Sequence, residues 1–541
     1  MSRVVHHAAA RRTAPTLPFS LVLALAALEA MAQAPARAAD AKTADTPLRW
    51  FSGTQLTRPA ANLLAEMRAA ESRGLDSSDY GGNALATAVA ALPPTADVAR
   101  VARLDAVFTA SAGRFVTDLH SGRIAPRAAG HDLDVPHADL DLDTALAALA
   151  TTRDTQAVLD DYEPGLHHYA LLKQALQRYR ELALEPGLGD LPRLPKRSIK
   201  PGEAYAGMPA LRRLLRALGD LRNGEATPAI GTPEEALLDV VSTAALARFQ
   251  RRHGLAADGA LGASTYAALT RPLSERVRQI ELSLERARWL PPRLDSAPII
   301  VNIPQFKLFG FFTPQDREDA MLTMNVIVGR TFPSQNTPVF AADMRYVVLR
   351  PYWDVPPSIV REEFLGRLRA DPAWVTRNGY EIVDGQGDDA RVVTPSADAV
   401  AALARGALRL RQQPGPANAL GLAKFMFPNR YNVYLHGTPA QSLFAQVRRA
   451  FSHGCIRVED PVELAQYVLR GDARWTREAI VAAQQGGGPT RINLAAPIRV
   501  MILYATAIAT ESGEVLFFED LYGHDQKLLR QLRKRKPLPA A

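Results

Sequence analysis

Leucine and alanine recur at three- and four-residue spacing, with charged residues between them, from about position 48 to about 194. The stretches 56–75, 98–119, 140–159 and 167–184 carry the pattern most clearly. Such spacing gives a helix one apolar stripe, so residues 45–200 are predicted to form a helical scaffold. Pro192, Pro195 and Pro201 then mark a linker, and no repeat of fixed period is present. A second helical unit is predicted over 205–272. Its amphipathic helix ends at Gly254, Asp258-Gly259 makes a tight turn, and a short helix follows through Thr265 and Leu269. A connecting helix is expected over 273–293.

The period then changes. Residues 299–303, 307–311, 321–328, 345–349 and 431–435 are rich in β-branched and aromatic side chains and read as strands. Between 358 and 429 the helical spacing returns, most clearly at 397–410, so 357–427 is predicted to be a helical lid inserted in a mainly-β domain over 297–510. Asp460-Pro461 starts a helix to about 469, with Asp460 as N-cap and Pro461 in the first turn. Strand character resumes at 497–510 and 515–518. Residues 511–541 read as a C-terminal tail, basic and helical over 526–536. The fold class expected is multidomain α+β: a helical scaffold, a small helical module and a mainly-β domain with a helical lid.

At 541 residues the chain exceeds one ordinary core, and two to four domains are expected. The N-terminus changes the picture more. Arginines precede an apolar stretch over 17–27, and Ala32-Gln33-Ala34 and Ala36-Arg37-Ala38 have the small-residue grammar of a cleavage site. Residues 1–38 therefore read as a signal peptide and the chain as exported. No later segment is long and apolar enough to span a bilayer. The net charge of +8 suits an anionic cell-wall polymer or membrane surface, or serves solubility alone; export argues against nucleic acid.

Export gives the cysteine content its meaning. Cys455 is the sole cysteine, so it cannot form an internal disulfide. It lies in Ser452-His453-Gly454-Cys455-Ile456-Arg457, with a second histidine upstream in Tyr434-Leu435-His436-Gly437. An imidazole can accept a thiol proton, and a glycine turn can aim successive backbone N–H groups at one point, the arrangement that stabilises an oxyanion. Arg457 could bind a carboxylate. Two other readings stand beside this one. His436, His453 and Cys455 could hold zinc, or Cys455 could be an inert core residue. The other histidines have no partner spacing that suggests a site.

The segment Tyr431–Pro439 followed by Phe451–Val458 resembles the signature of the L,D-transpeptidase family with a YkuD-type catalytic domain. The stretches 352–359, 411–420 and 421–429 resemble the large periplasmic YcbB-like subgroup, and residues 240–269 resemble a peptidoglycan-binding module, with a non-binding helical spacer as the other reading. The resemblance implies Cys455 as nucleophile, His436 as proton acceptor and donor, and the Gly437 carbonyl as the group orienting His436. Backbone amides around His453, Gly454 and Cys455 would form the oxyanion hole. Arg457, Tyr434 and Asn432 would bind substrate, the latter two from alternating strand positions, and Trp353 is either a cleft wall or a packing residue. The implied reaction is acyl transfer between peptidoglycan stem peptides, donor and acceptor, through a thioester, with D-alanine released and a 3–3 cross-link formed. Glycan strands would be held through 205–272. No metal or organic cofactor and no nucleic-acid partner are expected. The implied compartment is the periplasm, with inner-membrane association if the signal stays uncleaved. Stem trimming by an L,D-carboxypeptidase, protein-to-wall attachment, and a non-catalytic wall-binding scaffold are the alternatives.

Overall fold

The computed structural model describes residues 47–133, 135, 139–536 and 538. The signal peptide expected over 1–38 lies outside them. No helix among the described residues is long and apolar enough to cross a membrane.

The first body begins with a two-residue hairpin, β1 (Phe51–Ser52) with β2 (Gln55–Leu56), followed by helices Arg58–Arg68, Gly82–Ala90, Val98–Ser121, Leu142–Thr151 and Thr155–Asp161. Trp50, Leu63, Met67, Phe108, Phe115, Leu119 and Leu149 fill its core. The stretch 140–159, expected as one helix, is two. Asp154 caps the second by accepting the Ala157 N–H, which ends the first helix three residues earlier.

The next helix, His167–Leu184, was expected in the scaffold but packs into the second body. There Tyr169, Leu176 and Tyr179 share a core with the module helices Met208–Leu218, Val240–Arg252 and Ala263–Leu269 and with the connecting helix Leu273–Ala287. Strands β3 (Ser198–Ile199) and β4 (Leu261–Gly262) pair within it.

The third body is a sheet of nine strands: β5 (Ile299–Asn302), β6 (Lys307–Gly310), β7 (Leu322–Gly329), β8 (Phe340–Leu349) and, beyond the insertion, β13 (Ala423–Met426), β14 (Leu435–His436), β15 (Ala450–Ser452), β16 (Ile456–Val458) and β17 (Thr490–Leu503). Their order is β15-β7-β16-β14-β13-β8-β17-β5-β6, and a β6–β7 pairing closes the sheet on itself. Ile299, Val326, Val347, Phe425, Leu435, Ile456 and Ile502 point into its core. Closure removes all sheet edges but that of β15 and fixes the central strands.

Three expectations fail here. The insertion is α+β, not helical. Strands β9 (Trp353–Asp354), β10 (Tyr380–Asp384), β11 (Arg391–Val393) and β12 (Arg409–Gln412) form an antiparallel sheet of order β11-β10-β12-β9, packed by helices Leu365–Ala370 and Ala397–Ala404 over a core of its own. The boundary at 427 also overruns β13, a central strand of the large sheet. Strands of two to five residues are too short for their period of two to stand out against flanking alanine-rich helix. The strand expected over 431–435 is confined to its last residue and His436. Asn432 takes a left-handed conformation, φ 52°, that a strand excludes.

The C-terminal segment is a structural member of the second body. Strands β18 (Ala507–Ala509) and β19 (Val515–Phe517) form a hairpin whose residues are buried in the second core. Helix His524–Leu532 sets Leu528 against Ala129, Leu282 and Trp289. Arg535 then donates to both carboxylate oxygens of Asp118, 2.6 and 2.7 Å away in the first body.

Candidate active site

β14 runs parallel to β16, with Leu435 opposite Ile456 and His436 opposite Arg457. β13 runs antiparallel on the other side of β14 and sets Lys424 opposite His436. Paired residues on neighbouring strands project to the same face. Lys424, His436 and Arg457 thus form one row across three central strands, flanked by Val348 and Ile327. Cys455 lies one residue before β16 and Tyr434 one before β14. The Ile456 N–H donates to the Tyr434 carbonyl at 3.1 Å, which holds the two beside each other.

The turn that presents Cys455 is tied from below. Gly454 has φ 115°, a conformation L side chains rarely adopt, which accounts for glycine at this position. The buried Ser452 hydroxyl donates to the Cys455 carbonyl at 2.5 Å and accepts the Gly454 N–H at 3.1 Å. Thr337 Oγ1 donates to the Gly454 carbonyl and accepts the Gly329 N–H, both at 2.9 Å. Tyr522 donates to the Gly329 carbonyl at 2.6 Å and accepts the Thr337 N–H at 3.3 Å. The Gly454 amide, expected among the oxyanion donors, is therefore already committed. The amides of His453 and Cys455 are unpaired among the described residues.

His436 is buried, and its Nδ1 lies 2.6 Å from the carbonyl oxygen of Gly437. That acceptor places the ring proton on Nδ1 and leaves Nε2 as the basic atom. Burial first, then the positive charge of Arg457, lowers its pKa to about 3, so the ring is neutral near pH 7. The Cys455 thiol is free and partly buried, and Sγ lies 3.7 Å from the Asn432 carbonyl. No hydrogen bond joins it to His436 among the described residues. Burial pushes the thiol up from its ordinary value; Tyr434, the Lys424 ammonium and Arg457 pull against that.

The other expected site residues fall into place unevenly. Tyr434 packs edge-on against His436, ring centroids 5.6 Å apart, and burial raises its hydroxyl well above the ordinary value. The Arg457 Nε is buried without a partner. Asn432 is exposed and approaches Cys455 through its carbonyl, not its side chain. Trp353 sits in β9 opposite Gln412, packed on the insertion core. His453 Nε2 lies 2.8 Å from Glu363 Oε1, a residue of the π-helical turn Val360–Phe364 in the insertion, without the alignment of a hydrogen bond. The two histidines thus turn to different partners, and among the described residues no group of three His, Cys, Asp or Glu is arranged to hold a metal ion. A cavity of about 690 Å³ lies elsewhere, lined by Tyr169, Trp289, Phe309 and Tyr504, and contains none of these residues.

Lys424, Thr337, Tyr522 and Glu363 were not singled out by sequence reasoning. Only Lys424 left a legible signal, a lone cation between Ala423 and Phe425 in an otherwise apolar run.

Residues 297–481 match the family model described as "L,D-transpeptidase catalytic domain", YkuD. Residues 206–269 match the model described as "Putative peptidoglycan binding domain", and residues 42–176 the one described as "Scaffold domain". A Haemophilus influenzae protein named "Putative L,D-transpeptidase" is 34% identical over 263 residues, covering 47% of this chain and 50% of that protein. The chain thus matches about half the length of this curated relative.

Proposed function

The chain carries the YkuD catalytic domain of the L,D-transpeptidase family and a peptidoglycan-binding domain, and from that premise we propose that it transfers acyl groups between peptidoglycan stem peptides through a thioester on Cys455. The observation that carries the reading is the parallel pairing of β14 with β16, which seats Cys455 beside Tyr434 and His436 beside Arg457.

Rotation about the Cys455 Cα–Cβ bond frees Sγ from the Asn432 carbonyl. Sγ attacks the carbonyl between the third and fourth residues of a tetrapeptide stem, and its proton passes to Nε2 of the neutral His436. The N–H groups of His453 and Cys455 receive the oxyanion. The carbon–nitrogen bond breaks, His436 returns the proton to the departing D-alanine amine, and the stem stays as a thioester. An amine of a neighbouring stem attacks the thioester and passes its proton to His436. Cys455 leaves as thiolate and regains that proton, and a 3–3 cross-link is formed. Arg457 binds a substrate carboxylate, residues 206–269 hold glycan, and the insertion excludes competing water. The periplasm is the compartment in which this substrate is met.

Incubation with purified tetrapeptide muropeptides tests the reading. Released D-alanine, a 3–3 dimer and a Cys455 acyl adduct trapped by a carbapenem are expected, all lost in Cys455→Ala. D-Alanine release without a dimer would make water the acceptor. No adduct and no release from folded protein would overturn the proposal in favour of a wall-binding scaffold.

A further inference from the structure

We propose that the Lys424 ammonium is the counter-charge of the Cys455 thiolate. The inference deepens the acyl-transfer reading and rests on it for its purpose, but its geometry is independent of substrate.

Lys424 stands in the row with His436 and Arg457 on the face that carries Cys455. Its Nζ lies 4.2 Å from the centroid of the Tyr434 ring, and Tyr434 is the residue beside Cys455. The ammonium thus stands over the ring of the residue that neighbours Cys455. Among the described residues it makes no ion pair. Of the acidic groups whose field it feels, Asp354 on β9 is held by Arg409 Nη1 at 2.9 Å, and Asp388 lies in the insertion. From β14 it faces His436 and Tyr434, and from β16 Arg457. Burial lowers the lysine, and the Cys455 charge is among the causes that work against it.

A cation is needed here because His436 does not supply one. A ring held neutral by burial and by neighbouring cations cannot be the resting partner of a thiolate. Arg457 helps, but it stands beside a further like charge, Arg330. Ionisation of Cys455 sends the proton to solvent in the free protein, or to His436 during attack, and in both cases the negative sulfur remains beside Lys424. The same charge disfavours imidazolium on His436, which drives the proton onward to the leaving amine.

Because Cys455 is the sole cysteine, its alkylation rate by iodoacetamide against pH reports this thiol alone. An opposite charge within about 4–6 Å shifts a pKa by about one unit or more. Lys424→Met and Lys424→Gln should each move the profile up by about one pH unit and slow alkylation near pH 7 by ~tenfold. Lys424→Arg should leave the profile in place. Lys424→Gln keeps a polar stem over Tyr434 should the methionine variant fail to fold. Neutral variants whose profiles coincide with the unsubstituted protein would overturn the proposal, and D-alanine release would survive that result. Shifted profiles with no D-alanine release would instead uphold Lys424 and discard the acyl-transfer reading.

Discussion

The Ser452 hydroxyl binds the Cys455 carbonyl at 2.5 Å from three residues away, and the same oxygen takes the Gly454 N–H. One side chain therefore fixes the direction in which the turn presents its sulfur. Ser452→Ala leaves a buried amide and carbonyl without that partner, which costs about 1–3 kcal/mol. A lowered thermal midpoint is expected, with a slower carbapenem acylation rate. Ser452→Thr, which keeps the hydroxyl, should recover most of both. Acylation unchanged in the alanine variant would assign the turn's geometry to Thr337 and Gly454 alone.

His436→Ala should slow acylation of Cys455 by ~10²–10⁴-fold, the usual range for loss of a general base, while binding to isolated sacculi is retained. Equal acylation rates would transfer the proton-accepting role to another group, His453 being the nearest imidazole in sequence.

Stability should fall as pH drops below about 6.5. Burial, foremost in each case, lowers His436 to about 3, His524 to about 4 and His131 to about 2, and His131 Nε2 lies 2.9 Å from His524 Nδ1. Unfolded histidines titrate near ~6.5, so between that pH and the folded values the unfolded chain binds more protons than the folded one. Stability is then complete above pH 6.5 and is lost progressively on acidification. Urea midpoints at pH 7, 6 and 5 should decline in that order; a flat series would mean that the histidines are not held neutral.

The Glu363–His453 contact ties the insertion to the residue two positions before Cys455. Glu363 is half exposed, so the contact contributes at most about 1 kcal/mol to stability. Glu363→Gln should leave the thermal midpoint nearly unchanged and raise hydrogen exchange in residues 357–370. Exchange unaltered there would mean that the insertion core keeps these residues ordered without this contact.

Deleting residues 208–270 should destabilise the second body, hairpin 507–517 included, because they share one core. Buried Arg252 donates from Nε to Asp220 at 2.7 Å and from Nη1 to the Val515 carbonyl at 3.0 Å, tying the module to the hairpin that follows β17. Arg252→Ala, which strands the buried Asp220, should cost ~3–5 kcal/mol. An unfolding midpoint equal to that of the parent chain would show that this buried pair adds nothing to the stability of the second body.

The sequence alone determined the order of helical and β regions, the class of fold, and the pairing of Cys455 with His436 as candidates, because hydrophobic period and residue chemistry are local properties. It also marked Gly454 as a turn position, while the two strands that flank it and its φ of 115° came from the structure. The insertion sheet escaped the sequence, since strands of two to five residues leave too little pattern to read. So did the place of helix His167–Leu184 and of hairpin 507–517, whose apolar faces say that they are buried but not against what. Only the tertiary structure decided that Lys424 joins His436 and Arg457 in one row, that Thr337 and Tyr522 support the Cys455 turn, and that Glu363 meets His453. These contacts depend on strand register and on a sheet closed upon itself, and no side chain encodes by its own identity the residue that will face it from a distant strand.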